Sequence, residues 1–341
     1  MSIDWNAIKS KGISINAEPS MFDPTPVGIS AVNSLGWEDS ISVNWKGDTL
    51  TFTYFRVDPF YYMFYKKLRM DGPARTGWPS NTKYPGADLC AEIYICNGLN
   101  TTSPTIKNIG TKINTPLGSE GCQQITEDGS LIYFSRSWYD SKKGKTLRAL
   151  FYANWNNGSP SDPIQLPASI NGQDLTEGMN TADNPFLCAD KKTFLFEKGP
   201  ANDHKIYASI KTGTNSYSTP ILLPTINEPG ADITQPWMSP DGKTMLYSKN
   251  YSTIYLWKPN DPVLPGINPK PIVQLIGSEN SAAIGEPTMD QYGNLYFLYV
   301  FKADDGTGCY QFDADVYKLK PTNLKTSQFV STSVNMTIRQ D

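Results

Sequence analysis

The stretch Gln235-Pro-Trp-Met-Ser-Pro-Asp-Gly-Lys-Thr-Met-Leu-Tyr247 decides the fold. It reads as a short strand, a tight Ser239-Pro-Asp-Gly242 turn and a second strand. Pro presets φ, Asp bonds its own backbone, and Gly takes the positive φ that the turn needs. Four weaker copies align on that turn, at 41–52, 123–134, 185–196 and 287–297, with turn positions Gly47, Gly129, Lys191 and Gly293. After each hairpin comes a strand ending in an apolar residue and Tyr, at Tyr94, Tyr152, Tyr207, Tyr255 and Tyr317. Most copies add a fourth apolar run, such as Pro163-Ile-Gln-Leu166 or Pro271-Ile-Val-Gln-Leu275. The units are too short to hold helices between their strands. The expectation is an all-β fold, a five-bladed β-propeller of four-stranded antiparallel blades.

Composition agrees with turns and aromatic strands: of 341 residues 12% are aromatic and only 18% charged, with 26 Gly and 26 Pro. The net charge is −3 and no Lys/Arg block is present, so no electrostatic footprint for nucleic acid exists. No run of about 18 apolar residues exists, which argues against membrane insertion. Five cysteines without CxxC spacing indicate neither a zinc site nor a full disulfide framework, and at most two pairs can form.

The Ser239-Pro-Asp-Gly242 turn with its following Ile254-Tyr255 strand resembles the PD40, or TolB-like, WD40-related repeat, over about residues 36–320. Lys191 replaces the turn Gly in the third copy, and the first and fifth copies lack Pro-Asp. The resemblance implies a propeller. Members of that family include binding modules, assembly factors and accessory domains of hydrolases, so it implies no single function. Relatives of this kind are mostly exported, which implies a periplasmic or extracellular location where a signal peptide has been trimmed and a cytoplasmic one otherwise. Met1 to Ser20 lacks the apolar core of such a peptide.

Residues 1–35 are assigned as an N-terminal extension that completes the last blade, 36–325 as the propeller, and 326–341 as a C-terminal segment for ring closure. Blade 1 carries an insertion at 57–86, on the face where links feed the innermost strands. It is expected to overhang the channel mouth, the natural ligand site of a ring.

Acids recur just before the innermost strands: Glu38 and Asp39, Glu120, Asp183, Asp232 and Glu286. Two of Asp39, Glu120, Asp183, Asp232 and Glu286 would serve a glycoside hydrolase as acid and nucleophile or base; turn capping is their competing role. Cations follow the second strands at Arg56, Arg136, Lys198, Lys249 and Lys302, either pairing with the acids or holding a ligand. Trp78, in a Gly-Trp-Pro loop of the insertion, and Trp138 are aromatic ligand candidates, whereas Phe60-Tyr-Tyr-Met-Phe-Tyr65 reads as packing. His204, the one histidine, reads as solvent-facing. No cofactor is expected; Asp304 to Gly308 with Asp313 and Asp315 is a calcium alternative to a plain polar loop. The favoured function is a non-catalytic propeller binding a protein or carbohydrate at the channel mouth, using Arg56, Trp78, Arg136, Trp138, Lys198 and Lys249. The rivals are a glycoside hydrolase and a structural component of a larger complex.

Overall fold

Each of the five turns joins the two innermost strands of a blade, and the blades stand around one axis. The computed structural model describes residues 3–69, 72–75, 90–116, 118–156, 158–259 and 268–322. Among the described residues, strands hold 50% and helices 6%.

The chain begins with α1 (Trp5–Ser10), β1 (Ile15–Ala17) and β2 (Val27–Gly28). Blade 1 is β3 (Trp37–Val43), β4 (Thr49–Phe55), β5 (Ala91–Asn97) and β6 (Thr105–Asn108), with α2 (Pro59–Tyr65) between its second and third strands. Blade 2 is β7 (Gly118–Ile125), β8 (Leu131–Asp140) and β9 (Lys145–Asn156), with short β10 (Ser159–Pro160) and β11 (Ile164–Gln165) outside them. After α3 (Ala168–Asn171), blade 3 is β12 (Thr181–Leu187), β13 (Thr193–Gly199) and β14 (Lys205–Gly213), edged by β15 (Ser216–Tyr217) and β16 (Ile221–Leu222). Blade 4 is β17 (Ile233–Met238), β18 (Met245–Lys249), β19 (Thr253–Trp257) and β20 (Lys270–Leu275); blade 5 is β21 (Ser281–Met289), β22 (Leu295–Asp304) and β23 (Tyr310–Leu319).

The N-terminal strands serve two blades. Strand β2 pairs with β23, Val27 opposite Lys318, and is the outer strand of blade 5, while β1 pairs with β20 as a fifth strand of blade 4. Helix α1 is pinned by Lys9, whose ammonium lies 2.6 Å from Asp313 and 2.9 Å from Asp315, both buried on β23. Residues 326–341 lie outside the described residues.

Alternation along each second strand sends successive side chains into opposite seams. Leu50, Phe52 and Tyr54 meet Tyr296 and Val316 of blade 5, and Phe194 and Phe196 meet Tyr133 and Leu150 of blade 2. Between blades 1 and 2 the apolar fill is mostly Ile93, Ile109, Ile113, Ile132 and Phe134. Beside it lies a cavity of about 400 Å³. It opens to solvent along Lys107, Glu127 and Gly129, so it is a cleft in the surface of the seam and not a void in the core. Cys96, Cys122, Cys188 and Cys309 are free thiols.

In the insertion, Asp58 caps α2 by accepting from the Tyr61 N–H at 2.8 Å, with Pro59 at the start, where its missing donor is harmless. Phe60 and Phe64 then pack on Phe312 of blade 5, with ring centres 5.5 and 5.7 Å away, and Phe60 also meets Trp37 of blade 1 at 4.7 Å. The aromatic run is therefore a helix bracing blade 5 against blade 1. The chain returns at Gly72, which with Gly36 encloses the tip of Tyr54: a Cβ on either would collide with the Tyr54 hydroxyl.

Candidate functional site

Every innermost strand breaks register at one equivalent place, between Asp39 and Ser42, Gly121 and Gln124, Asp183 and Phe186, Thr234 and Trp237, and Gly285 and Thr288. Inside each break sits a non-glycine residue at positive φ: Ser40 at 50°, Cys122 at 51°, Asn184 at 46°, Gln235 at 59° and Glu286 at 57°. Each such conformation costs of order 1–3 kcal/mol and persists only where the surroundings enforce it. Five copies at one level of one channel make a ring of bulges.

The bulges carry a belt of hydrogen bonds from blade to blade. Glu286 accepts from the Ile41 N–H at 3.1 Å, and its carboxyl group also hydrogen-bonds to that of Asp39, linking blade 5 to blade 1. Gln123 Nε2 donates to the Ser40 carbonyl, linking blade 2 to blade 1. Arg148 of blade 2 pairs with Asp183 of blade 3 and, at 3.1 Å, with Glu177. The Gln235 N–H of blade 4 donates to Glu197 of blade 3 at 2.8 Å, and Gln235 Oε1 accepts from the Glu286 N–H at 2.8 Å. Below the belt, the channel level lined by Pro185, Pro236 and Pro287 holds a cavity of about 40 Å³, enough for roughly three waters and not for a sugar ring.

The acids expected at the mouth occupy different register positions, so they do not form one ring. Glu38 and Glu120 are equivalent to each other, each two residues before its bulge, and both are buried beneath an arginine. Asp39 and Asp183 come one residue before the bulge, Glu286 is the bulge residue itself, and Asp232 precedes β17. The structure thus joins Asp39 with Glu286, Glu120 with Arg136 at 2.7 Å, Asp183 with Arg148, and Asp232 with His204 at 2.9 Å. His204, expected to face solvent, is instead half-buried and donates its backbone N–H to Asp232 at 2.7 Å.

Burial sets the protonation of this site. It raises the carboxyl groups of Asp39 and Glu286, whose mutual contact keeps a proton between them. Burial likewise pushes Glu197 up to about 7, against the pull of His204 and with the support of the neighbouring Asp183 charge. For His204 burial acts downward but is outweighed by Asp232 and Glu197, so its pKa is raised. Tyr251, 37% exposed, has its hydroxyl raised by burial and then by the charges of Glu197, Asp232, Asp183 and Asp39.

The expected cations are mostly occupied elsewhere. Arg136 also donates to the Ile113 carbonyl at 2.8 Å, Lys249 pairs with Glu228 at 2.6 Å, and Arg56 donates to the Gly72 carbonyl at 3.2 Å. Lys198 is half-buried, which lowers its pKa. Trp138 lies edge-on to Phe151 with centroids 6.1 Å apart, and Trp78 falls outside the described residues. Asp313 and Asp315 hold Lys9, whereas in the 304–308 loop Asp305 accepts from Thr307. Among the described residues, no group of three or more His, Cys, Asp or Glu is arranged to hold a metal ion.

Four residues of the site escape a reading of the sequence. Arg148 and Glu197 lie inside strands whose alternation says only which seam they face, and Tyr251 is a single turn residue. Arg75 comes from the insertion. It replaces the cation that blade 1 lacks at the place of Arg136, lying 4.3 Å from the Tyr54 ring centre and 2.6 Å from Glu38. For the bulges a signal exists: Pro185, Pro236 and Pro287 follow three of the five.

No protein family model matches the sequence, and no curated protein does. Solved structures that it resembles include TolB from Acinetobacter baumannii, at 13% identity over 85% of this chain and 55% of that one, with a TM-score of 0.39. The catalytic domain of a GH62 α-L-arabinofuranosidase from Coprinopsis cinerea matches at 10% identity over 91% and 97%, with a TM-score of 0.46. An N-acetylgalactosamine deacetylase from F. plautii matches at 10% over 93% and 98%, with a TM-score of 0.47. The chain spans about half the length of the TolB chain. No helix among the described residues is long and apolar enough to cross a membrane.

Proposed function

We propose that this protein is a non-catalytic propeller of the PD40 type that binds a protein or carbohydrate ligand at its channel mouth. The observation that carries the reading is the exposed Tyr251 ring, whose hydroxyl feels the charges of Asp39, Asp183, Glu197 and Asp232. The carboxyl oxygens chiefly accept hydrogen bonds, so a fitting ligand brings donors: the hydroxyls of a sugar, or the ammonium and guanidinium groups of a basic peptide. The ring supplies an apolar face against which either can lie. Because neighbours already hold the carboxylates in place, the ligand meets a pre-ordered surface.

Hydrolysis fits less well. A glycosidase needs two carboxyl groups about 5–5.5 Å or 6.5–9.5 Å apart with substrate between them. Asp39 and Glu286 instead touch each other, and Glu120 is sealed beneath Arg136. One observation keeps hydrolysis as a second reading: Glu197, pushed up to about 7, is the cross-strand partner of Asp183.

A glycan array and a library of Lys- and Arg-rich peptides, read against the wild type, Tyr251→Ala and Asp183→Asn, test the proposal. One ligand class should bind the wild type and bind both variants at least tenfold more weakly. Equal binding to both variants would move the site away from the mouth. Cleavage of aryl glycosides, abolished by Glu197→Gln, would replace binding by hydrolysis.

A further inference from the structure

The seams between blades differ at one place. On the second strand, the position facing the next blade is Tyr133, Leu195, Leu246 and Tyr296 in blades 2 to 5 but Thr51 in blade 1. The residues opposite these on the innermost strand are Gln124, Phe186, Trp237 and Thr288, and in blade 1 Ser42. Thus every seam but one receives at least one large side chain at this level. Two of the others are also stitched: the Gln124 amide donates to the Leu187 carbonyl at 3.0 Å and accepts its N–H at 2.7 Å, and Thr288 Oγ1 accepts from the Val43 N–H at 3.3 Å. Ser42 makes no such side-chain bond to Ile125, its counterpart across the first seam.

The 400 Å³ cavity between blades 1 and 2 is the space that this substitution leaves. Its wall combines the indole of Trp155 and the side chains of Ile95 and Ile109 with Asn97, Lys107 and Glu127. Asn97 and Lys107 have no side-chain hydrogen bond or ion pair among the described residues. Glu127 accepts one long bond, from the Trp45 N–H at 3.4 Å, and burial raises its pKa. An amide, an ammonium and a carboxyl group therefore face a polar space with one apolar side.

We infer that this cavity is a second ligand site, separate from the channel mouth, and that it takes a neutral sugar of mono- or disaccharide size. A pyranose has one face of C–H groups for the Trp155 and isoleucine side, and hydroxyls that both donate and accept. The mixed set of Asn97, Lys107 and Glu127 answers those hydroxyls, whereas a wholly apolar ligand would leave all three unpaired.

The test is saturation-transfer NMR with glucose, galactose, N-acetylglucosamine and cellobiose, followed by titration calorimetry of whichever binds, on the full chain. Binding of one of these sugars is expected. Thr51→Leu, which installs the residue of blades 3 and 4, should raise the melting temperature and weaken that sugar at least tenfold. Asn97→Ala, at a half-buried position outside the core, should weaken it without a change in melting temperature, and Tyr251→Ala should leave it unaltered. The inference is overturned if none of the four sugars binds, if Tyr251→Ala abolishes binding while Thr51→Leu and Asn97→Ala do not, or if free lysine or glutamate competes in the cavity where sugars fail.

Discussion

The carboxyl group of Asp39, from the first blade, hydrogen-bonds directly to that of Glu286, from the last, at the seam where the ring closes. Two carboxyl groups at that distance cannot both be ionised, so the closed ring carries a proton that the open chain gives up near pH 4.

That proton makes stability depend on pH. Both groups are raised in the fold, so above about pH 4.5 the native state holds more protons than the unfolded one, and stability falls as pH rises. Glu286→Gln keeps a donor at the seam and removes one titrating group. Its melting temperature should vary less than that of the wild type between pH 5 and 9, and at pH 8 should equal or exceed it. A parallel displacement of the two curves would show that the pair does not share a proton.

Glu92, fully buried on β5, is held up to about 8 by burial and by the nearby Glu120 charge, against the hydrogen bond from Asn108. Glu92→Gln should therefore be near neutral at pH 5 and stabilising at pH 8.5, by about 4 kcal/mol in urea denaturation. A loss at both pH values would mean that the carboxyl is ionised in the fold.

Arg75 is the other half of a buried pair with Glu38, which burial pushes to about 8 even with the arginine in place. Arg75→Ala removes that counter-charge and the packing over Tyr54. The loss should be about 3 kcal/mol at pH 9 and smaller at pH 6, where Glu38 holds its own proton. Adding Glu38→Gln should remove most of the difference between the two pH values. If the cost is the same at both, packing on Tyr54 and not charge fixes the arginine.

Lys9→Met leaves Asp313 and Asp315 facing each other without their cation. Hydrogen exchange should speed up in α1 and β1 before it does in blades 2 and 3. Uniform acceleration throughout the chain would mean that the N-terminal segment unfolds only with the whole ring.

The bulges predict a glycine effect. At Cys122, with φ 51°, Gly relieves the backbone conformation while Ala does not. Cys122→Gly should be more stable than Cys122→Ala by about 1 kcal/mol in thermal unfolding; the reverse order would mean that the conformation carries no strain.

The hairpins were legible because a turn demands particular residues at particular places: Ser239-Pro-Asp-Gly242 has few other readings. The bulges were marked only by the proline that follows three of them, because Ser40, Cys122, Asn184, Gln235 and Glu286 share no chemistry; what they share is a backbone angle that the neighbouring blade imposes. One extra residue in each strand was enough to scatter the acids, so Glu38, Asp39 and Glu286 look alike in sequence and stand in three environments. Arg75 was hidden for a different reason, since nothing local ties an insertion loop to the strand 20 residues before it that it covers. The short spacing of blades 3 and 4 showed how little chain a blade needs, and so drew attention to the insertion; its aromatic helix then proved to brace the rim.

The two-residue strand β2 has a consequence for the order of events during synthesis. Val27 finds Lys318 only after roughly 290 further residues have been made, which at about 5–20 residues per second takes about 15–60 s. By the end of that interval the four earlier blades stand as an open arc with an unsatisfied inner edge at Ile41 and Val43, whose partners on β21 arrive only with blade 5. The nascent chain is thus longest in its most adhesive form just before it closes, and a ribosome that pauses in blade 5 prolongs the state in which a second arc can take the place of the missing blade.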